Sequence, residues 1–138
     1  MNVGMKVSRA EAAPAASAAV RAVLGDYFDG LHDGDVDKLR RVFHPRAIYA
    51  TATEGNLRAL EMGEYLPIVA ARPSPASRGE TRTDRICSIE FAGPVTALAR
   101  VECVIRPKHF IDFLTLVCVD DRWQIIAKVF HFDLETET

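Results

Sequence analysis

Apolar and polar positions alternate with two clear periods along this chain. Val20, Val23, Leu24, Tyr27, Phe28 and Leu31 recur at the spacing of one helical face. The pattern predicts an amphipathic helix that starts at about Pro14 or Ser17 and stops at His32-Asp33-Gly34, where glycine suits the left-handed position after a helix. Asp35 reads as the N-cap of a short second helix with Val36, Leu39, Val42 and Phe43 facing in, ended by Pro45. Residues 48–53 and 57–60 read as two short strands around Glu54-Gly55-Asn56. A third helix is expected over 63–71, with Tyr65, Leu66 and Val69 inward and Pro67 in its first turn.

The period then changes to two. Strands are expected over 83–91 and 95–105, the latter with Val95, Ala97, Ala99, Val101, Cys103 and Ile105 on one side. The most strand-like run is 109–132, two β-rich arms around Asp120-Asp121. A two-residue loop there sets Val119 opposite Arg122, Phe113 opposite Lys128 and Asp112 opposite Val129. One face then carries Asp112, Leu114, Leu116, Cys118, Trp123, Ile125, Ala127, Val129 and His131, and is assigned to the core. On that face Asp112 and His131 are diagonal neighbours. A three-residue loop would instead place Asp112 opposite Lys128, so the register decides which partner the carboxylate has.

Helices followed by a strand meander mean an α+β domain, three N-terminal helices packed on a strongly curved, mostly antiparallel sheet. Such a sheet wrapped around a long amphipathic helix forms a cone with a cavity. The domain is expected over 15–134, with a disordered extension at 1–14 and a tail at 135–138. Composition changes this picture little: 138 residues, 49% hydrophobic, 26% charged and a net charge of −2 describe an ordinary globular domain. No basic face suggests nucleic acid as a partner. Arg72, Arg78, Arg82 and Arg85 gather around one loop, read as a solvated loop rather than an anion site. Cys87, Cys103 and Cys118 lack metal-ligand spacing and read as free buried thiols of a reducing cytosol. No uncharged apolar stretch is long enough for a membrane span, and Glu11 interrupts the Ala-rich start that mimics a signal peptide. A cytoplasmic location is the expectation.

Three blocks carry a resemblance: YFDGLHDGDVDKLRRVFHPRA at 27–47, EYL at 64–66 and DFLTLVCVDDRWQIIAKVF at 112–130. In this order and spacing, over about 18–132, the chain resembles the NTF2-like superfamily, with its ketosteroid isomerases and SnoaL-like polyketide cyclases, a cystatin-like fold. More narrowly it is similar to the bacterial family named "putative lumazine-binding". The resemblance implies a cone-shaped barrel, a dimer packed through the sheet, and a role as binding module or cofactor-independent enzyme. It supplies no catalytic residues to carry over.

Within that frame Asp112 and His131 are the candidate acid–base pair, because a carboxylate in an apolar cavity can share a proton with an imidazole. Tyr27, Tyr49 and Tyr65 come from three elements and could converge on one ligand. His44, Trp123 and Lys128 complete the candidate lining, with Lys128 otherwise an outer-face residue at the dimer seam. No metal site or cofactor motif is expected; Asp33, Asp35 and Asp37 read as caps. The expected function is small-molecule binding in an apolar pocket. The alternatives are an isomerase, dehydratase or cyclase using Asp112 and His131, or a protein-interaction module.

Overall fold

The computed structural model describes residues 9–136, without side chains for 9–13. The chain runs α1 (Arg9–Asp33), α2 (Val36–Val42), β1 (Phe43–Thr51), β2 (Arg58–Glu61), α3 (Met62–Ala71), β3 (Asp84–Phe91), β4 (Thr96–Ile105), β5 (Lys108–Val119) and β6 (Arg122–Leu134). The six strands form one sheet in the order β2-β1-β6-β5-β4-β3. All neighbours are antiparallel except β1 and β6, which run parallel.

The long amphipathic helix fills the concave side of the sheet. Val20, Leu24 and Tyr27 are fully buried, with Phe28 and Leu31 nearly so. They meet Ala97, Ala99 and Val101 of β4, Leu114 and Leu116 of β5 and Ile125 of β6 in one core. α1 begins earlier than its apolar stripe suggests, at Arg9, and takes Pro14 inside it. The expected disordered extension therefore overlaps the helix at 9–14, and its residues 1–8 lie outside the described ones. The turn out of α1 matches expectation: Gly34 has φ +66, and Asp35 caps α2 by accepting the Lys38 amide at 3.0 Å. Gly30 lets the two helices touch, since a Cβ there would lie 2.7 Å from Leu39 Cδ2.

α3 departs from the reading in one detail. Pro67 sits in its interior, five residues after Met62. The cost is limited to one early helical hydrogen bond. Glu61 and Glu64 close a reciprocal capping box at the helix start.

The β5–β6 hairpin turns through Asp120 and Asp121, both at positive φ (52° and 59°), so the two-residue loop holds. Val119 faces Arg122 and Leu116 faces Ile125, as the pattern predicts. The ladder then slips: Thr115 pairs with Ala127, leaving Ile126 as an extra residue in β6. Beyond this bulge every β6 side chain changes face. Lys128 and Phe130 turn into the core, and Val129 and His131 turn out. A bulge also lies at Cys87 in β3.

Candidate functional site

The bulge at Ile126 builds the most unusual feature of the interior. Asp112, on β5, is fully buried, and Lys128, on β6, is 4% exposed. Asp112 lies opposite Phe130 and Lys128 opposite Leu114, so the two are diagonal neighbours on the concave face. Helix α1 adds Tyr27, whose hydroxyl donates to Asp112 Oδ2 at 2.6 Å. Helix α3 adds Tyr65 and strand β1 adds Tyr49, stacked on Tyr65 with centroids 4.6 Å apart.

Five aromatic rings surround the Lys128 ammonium. Its Nζ is 5.2 Å from the centroid of Tyr27, 5.3 Å from Phe130, 5.4 Å from Tyr65 and 5.8 Å from both Tyr49 and Phe110. At these distances a cation is attracted to each ring face by roughly 0.5–2 kcal/mol. Among the described residues Lys128 forms no ion pair. Burial alone pushes its ammonium pKa down. The neighbouring Tyr65 and Asp112 push it up, and the balance lies above the ordinary lysine value. Burial, then Asp112, holds the Tyr27 hydroxyl well above the usual tyrosine range, and burial raises that of Tyr49. The Cys103 thiol, on β4, is pushed by burial to about 12.

Two polar atoms in this cluster are buried and have no hydrogen-bond partner among the described residues: Tyr65 Oη and Asp112 Oδ1. An interior normally pairs such atoms, because each one left bare costs about 1–3 kcal/mol.

The expected lining is thus brought together in part. Tyr27, Tyr49, Tyr65, Lys128 and Asp112 converge. His131 does not. It is exposed on the outer face, with Nδ1 3.1 Å from Thr53 Oγ1 and Nε2 2.9 Å from Asp133 Oδ1. The pairing of Asp112 with His131 fails because the bulge lies between them in register, not because the turn is longer. Lys128 is correspondingly a core residue and not an outer-face one. Trp123 lies on the pre-bulge part of β6, edge-on to Phe91 at 5.9 Å, away from the tyrosines. His44 is half-buried at the cleft between α2 and α3, away from the cluster, and its Nδ1 accepts the Arg46 amide at 3.0 Å. Phe110, Phe130 and Phe43 complete the cluster; Phe43 packs edge-on to Tyr27 and Tyr65 at 5.9 and 6.0 Å.

Of the two concavities described, the larger is about 340 Å³ and lies between α2, β1 and α3, lined by Arg40, Phe43, His44, Met62, Leu66 and Pro67 among others. The smaller, about 10 Å³, lies under the end of α1. Neither is lined by Asp112 or Lys128. Around the cluster Tyr27, Tyr65, Asp112 and Lys128 are buried against one another, so the expected apolar lining also carries charge. Phe43 alone among the cluster rings borders the larger cleft. Tyr49 and Phe110 are only half-buried and form the rim.

Other candidates resolve into ordinary roles. Arg82 pairs with Asp29 and Asp84 at 2.6 Å each, Arg78 with Glu80, and Arg85 with Glu102. Cys87 is exposed rather than buried, and its Sγ lies 3.3 Å from Glu102 Oε2. Among the described residues no group of three His, Cys, Asp or Glu could hold a metal ion. No described helix is long and apolar enough to cross a membrane.

The profile of the family described as "Putative lumazine-binding" matches residues 15–131. The chain belongs to that family. Within it the fold is NTF2-like, as comparison with solved structures shows. An NTF2-like protein of unknown function from Silicibacter pomeroyi is 25% identical, with a TM-score of 0.75 over 92% of this chain and 100% of that one. An NTF2-like protein of unknown function from Shewanella baltica is 20% identical, with a TM-score of 0.78 over 93% and 98%. In sequence, the chain is also similar to the aldolase FrzH of a Cladobotryum species, 24% identical over 107 residues, 76% of this chain and 82% of that protein.

Proposed function

We propose that this protein binds a small organic molecule at the Asp112–Lys128–Tyr65 cluster. One observation carries the reading. Among the described residues two buried polar atoms, Tyr65 Oη and Asp112 Oδ1, lack a partner beside an ammonium that forms no ion pair. A core built for stability alone gains nothing from such a set, whereas a ligand can satisfy all three at once. Family membership supports small-ligand binding without naming the ligand. Because both described concavities miss the cluster, entry requires side-chain movement at the rim, by Tyr49 and Phe110, or at Phe43, which borders the larger cleft. Native mass spectrometry of the freshly purified protein tests the reading. A small-molecule adduct should accompany the wild type, leave on denaturation, and be absent from the Asp112→Asn/Lys128→Met double variant. Equal adducts on both proteins would overturn it.

A second reading has its own support. Asp112 has a free carboxylate oxygen, fixed through Oδ2 by Tyr27, next to a cation that could stabilise an enolate. This replaces His131 with Lys128 and Tyr27 in the acid–base set. The likeness to a protein named an aldolase points to the same class of carbonyl chemistry. Such an enzyme would accelerate deuterium exchange next to the carbonyl of 2-tetralone in D2O, and Asp112→Asn would abolish the acceleration. No acceleration by the wild type would leave binding alone.

A further inference from the structure

We propose that the cleft between α2, β1 and α3 is a separate binding site for a small amphipathic carboxylate: its carboxylate meets Arg40 and His44, and its apolar tail lies on Phe43, Met62 and Leu66. The site goes beyond the Asp112–Lys128 cluster and does not depend on it.

The lining sets the ligand's chemistry. The cleft is about 340 Å³, within the range of small-molecule sites. Its floor is apolar. Phe43, Met62 and Leu66 are each more than nine-tenths buried, so core packing holds them in place. Two lining side chains carry polar groups, Arg40 and His44, and both offer donors. Among the described residues no Asp or Glu lines the cleft. Arg40 uses Nη1 on Asp37 at 2.8 Å, in an exposed ion pair, which leaves Nε and Nη2 for a ligand. His44 Nδ1 accepts the Arg46 amide, so the ring carries a proton on Nε2. Nε2–H therefore donates whether the ring is neutral or charged. A carboxylate accepts from both residues, whereas a cation would face Arg40 as a like charge.

Gly63 is a second, independent pointer to a ligand. It is not one of the positive-φ glycines, and a Cβ built on it meets nothing within 4 Å. Neither backbone geometry nor close packing calls for glycine there, although glycine weakens a helix. What the missing side chain provides is room, because Gly63 lies in the wall of the cleft.

Titration with octanoate, 1-octanol and acetate, read at the methyl group of Met62, tests this. Met62 is the one methionine among the described residues, so a 1H–13C spectrum of protein labelled with 13C-methyl methionine reports on the cleft. Octanoate should shift this signal saturably and bind about fivefold or more tighter than octanol, which lacks the charge. Acetate, which lacks the tail, should bind about tenfold or more weaker than octanoate. Arg40→Gln should bring octanoate down to the affinity of octanol and leave octanol unchanged. Gly63→Leu should weaken both eight-carbon probes about tenfold or more and keep or raise the melting temperature, because it places a helix former in open space. Octanoate binding no tighter than octanol would overturn the carboxylate. No saturable shift by octanoate, or an affinity unchanged by Gly63→Leu, would overturn the site. The probe comparison uses unaltered protein, so it stands even if a variant fails to fold.

Discussion

Among the described residues Lys128 is held by five rings without an ion pair, and that arrangement has a measurable titration signature. Tyr27, Tyr49 and Lys128 all have pKa values raised in the folded protein. The folded state therefore keeps protons that the unfolded chain loses above about pH 10. Their contribution is fully present below that pH and is lost as pH rises through the folded values. Urea midpoints should be flat from pH 7 to 9 and fall between pH 10 and 11. Tyr27→Phe should shallow that fall. A midpoint unchanged to pH 11 would contradict the burial of these groups.

At the scale of elements, the decisive piece is β6. The helix faces, the hairpin turn and the succession of elements follow from periodicities that packing obeys directly, as in Val20 to Leu31 and in Val95 to Ile105, whereas the parallel pairing of β1 with β6 does not. The Ile126 bulge has no Gly or Pro to announce it, so a uniform alternation carried His131 inward and Lys128 outward. One signal was present. Trp123 and Ile125 set an odd-numbered apolar face, while Phe130 and Phe132 set an even-numbered one, with polar His131 and Asp133 between and after them. A strand whose apolar phase changes midway needs an extra residue between the two phases. The site's residues were thus mostly legible, but their grouping depended on one backbone irregularity. The turn feeding β6 is also improvable. Asp120 and Asp121 both occupy the left-handed region, which suits Asn and Gly better. Asp120→Asn/Asp121→Gly should stabilise the protein by about 1 kcal/mol, raising the melting temperature by a few degrees. A lower melting temperature would count against this turn geometry.

For the whole molecule, the same bulge shapes the outer face of the sheet. Val129, turned outward, lies opposite Phe113, and Leu98 lies nearby on β4; they are 49%, 51% and 39% exposed. A contiguous apolar stripe of this kind is expected to pack against a second copy. Light scattering coupled to gel filtration should give a dimer for the wild type and a monomer for Phe113→Asp. A monomeric wild type would remove the dimer from the account.

Inside the sheet, the central claim is that the Asp112–Lys128 cluster is kept for a ligand and not for stability. Replacing two buried charges together by neutral groups of similar shape is commonly neutral or stabilising, while removing one and leaving the other uncompensated costs about 3–5 kcal/mol. The measurement is the unfolding free energy of Asp112→Asn/Lys128→Met without ligand. The account predicts a value equal to or above that of ligand-free wild type; a loss of several kcal/mol would contradict it.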